Sequence, residues 1–212
     1  MVSVFVSSKQ GELDLERAIV RQQIKAAGLC PVLAEDWTPG RKDSREVYLA
    51  QVRSCPVYVG IFYQVFSEAT AEEYQAATAN PYREILIYER RTTEGLRDDR
   101  LKQLLKDILS RHVVCRYDNP QELLELVCAH LRVAITHMIE LLMNLGREQE
   151  APLDWGKVRD FPRELSEQRD FADLRQEYLL ALGFENGEFS DERLREVAGW
   201  LRSCLEWPPR GT

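Results

Sequence analysis

The chain is predicted to be an α/β protein: a five-stranded parallel sheet of flavodoxin-like order 2-1-3-4-5, followed by a small all-helical C-terminal appendage. Three observations predict it. Short apolar runs alternate with helical patterns five times between Val2 and Leu145, which implies parallel strands joined by crossover helices, nearly always right-handed. The run Val57–Phe62 is apolar throughout, as expected of a central strand covered on both faces. Beyond Gly146 no strand-like run occurs.

Val2–Ser7 reads as the first strand, and Leu13, Val20, Ile24 and Ala27 fall on one side of a helix that Gly28 ends. Leu29–Ala34 is a second strand, and Ser44 caps a helix over Arg45–Ser54. The central run Val57–Phe62 leads to a helix over Ala69–Thr78, stopped by Asn80-Pro81. Glu84–Tyr88 and His112–Tyr117 are strands four and five, with an amphipathic helix at Leu96–Leu109 between them. The last helix runs from Gln121 to about Leu145; roughly 25 residues span about 37 Å, more than such a sheet needs. Its second half, with Ile135, Met138, Leu141, Leu142 and Leu145, is therefore expected to bury against the C-terminal helices in preference to a second copy of the chain. The division is residues 1–146 for the α/β domain and 147–212 for the appendage, where Leu174, Tyr178, Leu179 and Leu182, then Leu194, Val197 and Leu201, recur at helical spacing.

At 212 residues the chain holds one ordinary core plus a remainder, and 44% hydrophobic with 30% charged residues is the balance of a folded protein. The net charge of −7 argues against a general grip on nucleic acid. Arg83, Arg90, Arg91, Arg97 and Arg100 lie among Glu84, Glu89, Glu94, Asp98 and Asp99, so they read as a solvated mixed-charge face. Five cysteines without a Cys-x-x-Cys pair suit free thiols in a reducing, cytoplasmic compartment, and three histidines without ligand spacing give no metal site. Charge interrupts the most apolar stretch, Leu123–Leu145, so no membrane span is expected.

The chain lacks Gly-x-x-x-x-Gly-Lys-Ser/Thr and Gly-x-Gly-x-x-Gly loops, a Gly-x-Ser-x-Gly elbow, and a cysteine paired with an obvious histidine. The usual phosphate cradles and hydrolase nucleophiles are thereby removed. In the order 2-1-3-4-5, strands one and three are neighbours whose chains leave in opposite directions, and ligands bind at such a switch point. Ser7, Ser8, Phe62 and Tyr63 would line that crevice, Trp37 and Tyr63 would either stack on a flat base or lie as lids over the core, and Glu73 would stand near the rim in the first turn of the Thr70-x-x-Glu73-Tyr74 helix. The polar pair Glu16–Arg17 reads as local helix surface. One carboxylate suits cleavage of an N-glycosidic bond to a leaving group already positively charged, such as nicotinamide, because only the ribosyl cation needs stabilising.

Taken in order, Val4-Phe-Val-Ser-Ser8, Glu12-Leu-x-x-Glu16-Arg17, Gly28-x-x-Pro31-Val32, Glu35-Asp36, Ser54-Cys55, Val57-Tyr58-Val59-Gly60-Ile61 and Thr70-x-x-Glu73-Tyr74-x-x-Ala77 resemble the TIR-like domain of unknown function found beside signalling NTPases. That group is similar to Toll/interleukin-1 receptor domains and nucleoside 2-deoxyribosyltransferases. The resemblance covers roughly residues 1–117. It implies a TIR-like sheet, Glu73 as the catalytic carboxylate, and NAD or a related nucleotide as substrate rather than cofactor; the crevice reading, not the resemblance, sets Ser7, Ser8, Trp37, Phe62, Tyr63 and Thr70 around that substrate. It further implies self-association that completes the site, a signalling NTPase as partner, and a role in antiphage defence. Pro56 and Tyr63-Gln-Val-Phe66 stand where the family usually has Asp and a Gly-x-x-Tyr-Gly stretch. Two other readings stay open: a catalytically silent interaction module, and a sensor that binds a nucleotide signal without turnover.

Overall fold

The computed structural model describes residues 2–36, 44–93, 95–147, 171–184 and 190–205. Five parallel strands pair in the order β2-β1-β3-β4-β5, with β1 at Ser3–Ser8, β2 at Cys30–Val32, β3 at Val57–Phe62, β4 at Glu84–Arg90 and β5 at Val114–Tyr117. Between them run α1 (Asp14–Ala26), α2 (Ser44–Arg53), α3 (Glu68–Thr78) and α4 (Asp99–Arg111), and after β5 come α5 (Pro120–Arg147), α6 (Phe171–Ala181) and α7 (Asp191–Leu205). The expected flavodoxin-like α/β sheet and the helical C-terminal part are both present.

Strand alternation divides the core into two layers. Val4 and Val6 of β1, with Val57, Val59 and Ile61 of β3, pack under α1 and α5. Phe5, Tyr58, Phe62, Tyr74 and Ile87 form the layer that meets α3 and α4. Gly60 lies in that second layer, where a Cβ would come 3.0 Å from both the Tyr58 and Phe62 rings, so the central strand carries no side chain there. At the end of α1, Gly28 has φ 76. Its N–H donates to Lys25 O at 2.9 Å and that of Leu29 to Ile24 O at 3.0 Å, a paired closure that needs glycine at the left-handed position.

Most boundaries move by one or two residues, and two of the shifts have a local cause. β2 is three residues long because Ala34–Asp36 already turn as a 3-10 helix, and α4 starts at Asp99 because the Asp98 side chain accepts from Arg100 N and caps it.

α5 continues past the sheet and packs along α7, burying Ile135, Met138 and Leu142 in the same core as Leu194, Ala198 and Leu201. One helix among the described residues, Pro120–Met143, is long and apolar enough to cross a membrane. Leu123, Val127, Leu131, Ala134 and Ile135 on it are buried within the protein. The C-terminal helices also close the N-terminal end of the sheet: Tyr178 of α6 meets Tyr82 with ring centroids 5.7 Å apart, and Glu177 bonds to Arg83 and Asn80, each at 3.3 Å.

Candidate active site

At the C-terminal ends of β1 and β3 the chain departs to α1 on one face and to α3 on the other, opening the expected switch point. Ser67 fixes where α3 begins, its side chain accepting from Thr70 N at 3.3 Å. With the helix started at Glu68, Thr70, Glu73, Tyr74 and Ala77 fall on one buried stripe at the i, i+3, i+4, i+7 spacing. Glu73 therefore stands in the second turn and points inward, not at the rim of the first turn. It is 6% exposed, and Ser7 Oγ donates to its Oε2 at 2.5 Å.

Burial pushes the Glu73 carboxyl up to about 7, against the Ser7 hydrogen bond and the more distant Arg17 charge, which both lower it, while Glu72 adds to the rise. The hydroxyl of Tyr58, fully buried close by, has no hydrogen-bond partner among the described residues. Its pKa is held well above the usual tyrosine value by burial first and then by Glu73. Glu72, next in sequence, meets Arg45 and Tyr48 on the outer side of α3, and these hydrogen bonds hold its carboxyl below the usual value.

Ser8 points to the opposite face, as alternation along a strand requires. Its hydroxyl accepts from Arg17 Nη1 at 2.7 Å. Arg17 is 4% exposed and pairs with Glu35, beside which Arg21 pairs with Asp36 at 2.7 Å. The expected crevice wall of two serines is thus two separate sites, and Glu16–Arg17 is not helix surface: Glu16 is also buried and takes Arg90 at 2.8 Å.

Phe62, Tyr63 and Thr70 come together with Glu12 around a cavity of about 10 Å³, room for one water. Glu12 Oε1 accepts from the backbone N–H of Gln64 and of Val65, both at 3.0 Å, holding the turn after β3. Tyr63 lies under the Arg90 guanidinium, 4.7 Å from ring centroid to carbon. Trp37 lies outside the described residues. A wider groove of about 640 Å³ runs along α1 between Gln10, Arg17, Arg21, Lys25 and Glu35.

Of the arginines read as a solvated face, Arg91 and Arg100 are exposed, whereas Arg83, Arg90 and Arg97 are built into the fold. Glu89 is buried and takes Arg97 and Arg116. Arg83 is buried and donates to the carbonyls of Arg53, Cys55, Ala76 and Ala77. Some of their partners, Arg116 for Glu89 and Arg53 and Cys55 for Arg83, lie far along the chain, so composition alone hides them. Arg17, Glu35, Glu12 and Tyr58 were likewise missed as site residues; the one local signal was an apolar strand ending in two hydroxyl residues, which demand partners on both faces. No group of three or more His, Cys, Asp and Glu side chains among the described residues is placed to hold a metal ion.

Fold and site together define a flavodoxin-like α/β protein with one neutral-range carboxyl at its strand-order switch. The chain belongs to the family described as domain of unknown function DUF4062, which matches residues 3–132. A comparison with the curated proteins gives no match.

Proposed function

We propose that this is a TIR-like N-glycosidase that hydrolyses the nicotinamide bond of NAD or a related nucleotide, with Glu73 as the carboxylate that stabilises the ribosyl cation. One observation carries the reading: a buried carboxyl with no cation bonded to it among the described residues, its pKa raised to about 7, held by Ser7 at the switch point. A cationic substrate would draw Glu73 into its ionised form, and nicotinamide leaves without needing a proton. Ser7 orients the carboxyl, and the Tyr58 hydroxyl, without a hydrogen-bond partner among the described residues, is a spare donor within the field of Glu73. Self-association, a signalling NTPase partner, antiphage defence and a reducing cytoplasm, which suits five free cysteines, complete this reading.

A second reading, the non-catalytic interaction module, is favoured by the cavity beside Phe62 and Tyr63, whose volume of about 10 Å³ cannot admit a nicotinamide ring as it stands. Nicotinamide release from NAD, followed by chromatography at high protein concentration, separates the two. The glycosidase predicts release that falls at least about 100-fold in Glu73→Gln and rises with pH through the region near 7. Equal release by both proteins removes Glu73 from the mechanism, and no release at any concentration leaves the interaction module.

A further inference from the structure

A second polar constellation lies on the α5 face, away from Glu73. The β4–β5 register sets Tyr88 directly beside Cys115. α5 crosses above them and lowers His130 between the two: His130 Nδ1 is 3.1 Å from the Tyr88 hydroxyl and Nε2 is 3.8 Å from Cys115 Sγ. The Tyr88 and His130 rings stack with centroids 5.7 Å apart, which fixes the imidazole plane. Tyr88 is fully buried, whereas Cys115 and His130 are half-buried at the open edge of the sheet. A thiol, an imidazole and an orienting hydroxyl in line are the parts of an activated nucleophile. The sequence concealed it because the cysteine and the histidine are separated by a turn and most of three helical turns.

We propose that Cys115 is a modification site for small α,β-unsaturated carbonyl compounds, with His130 as the base that takes its proton and Tyr88 as the residue that holds the imidazole. Nδ1–H donates to the Tyr88 oxygen, leaving the Nε2 lone pair facing the thiol. As Sγ bonds to the β-carbon, the carbon–carbon π bond breaks and its electrons move to the carbonyl oxygen. The thiol proton passes to Nε2 and then to that enolate, so the adduct forms without another reagent. Burial raises the Cys115 pKa and lowers that of His130; both keep the resting pair neutral, thiol beside free base. The titratable groups facing it are Tyr88 from β4 and Cys128 from α5, the latter bonded to Gln23 of α1 at 3.3 Å. The inference does not depend on the role of Glu73.

N-ethylmaleimide belongs to this class and serves as the probe, with peptide mass spectrometry reading each of the five thiols. At limiting reagent Cys115 is expected to react first. Its rate should level off toward low pH until His130 titrates, where an ordinary thiol loses about tenfold per pH unit. His130→Gln should restore the ordinary slope and slow labelling about tenfold near neutral pH, with Tyr88→Phe in between. Labelling of Cys115 no faster than Cys30 and Cys128, or an ordinary thiol slope in the unaltered protein, overturns the proposal, and the second result needs no variant.

Discussion

Two neighbouring serines of one strand meet opposite electrostatics on the two faces of the sheet. Toward α3, Ser7 meets Glu73, which has no cation in reach of a hydrogen bond among the described residues; toward α1, Ser8 meets Arg17, whose charge Glu35 matches. Burial pushes both carboxyls up. At Glu35 the Arg17 hydrogen bond and the charges of Arg17 and Arg21 more than reverse that push, so its pKa ends below the usual value, whereas Glu73 ends at about 7. A structural ion pair and a carboxyl poised near neutrality thus differ in depth and in the guanidiniums at hand: Glu35 is 40% exposed beside Arg17 and Arg21, Glu73 6% exposed with Arg17 only at a distance.

The largest test of this contrast is Glu73→Gln. Its folded pKa lies above the ordinary 4.5, so the contribution of Glu73 to stability is complete below that value and is lost as pH rises to about 7. The loss is about 3 kcal/mol. Glutamine keeps a partner for Ser7 and does not titrate, so the variant should exceed the parent by about that much at pH 8 in urea unfolding, and match it at pH 4. Such a gain in stability with loss of nicotinamide release is the trade expected of a functional carboxyl.

Next in size, Arg17→Met should cost about 2 kcal/mol, because Ser8 loses its donor and the half-exposed Glu35 recovers only part of its solvation. It should also raise the pH midpoint of Glu73 slightly, since Arg17 is among the charges that lower it. A smaller change, about 1 kcal/mol, is expected of Ser7→Ala, with the Glu73 midpoint moving up as the hydrogen bond to its charged form disappears. Glu72→Gln should lower that midpoint only slightly, since its charge is the smallest of the contributions to it. A shift as large as that of Ser7→Ala would place the titrating group on the outer side of α3.

The sheet was legible because its signals are local and repeated: apolar strands, helical spacing, Gly28 as a stop. Glu73 was legible as a position for the same reason, since strand order locates the crevice. Its depth was not, because the sequence reads Glu73 as a first-turn residue at the rim, whereas it shares the buried stripe of Thr70, Tyr74 and Ala77 that packs on the sheet. The buried ions were illegible for a different reason. Glu16 finds Arg90, and Arg83 finds Glu177, across the whole fold, while along the chain each stands among other charges and looks solvated. The Cys115–His130 pair shares this fate, assembled by register and helix crossing rather than by spacing.

The family match ends at residue 132, partway along α5 (Pro120–Arg147). A fragment trimmed to that boundary would sever α5 inside the core, strip the sheet of Ile135, Met138 and Leu142, and abandon Arg83 in the interior without its carboxylate. The transferable unit for recombinant expression or domain grafting is therefore the sheet with all of α5 and the two helices it carries.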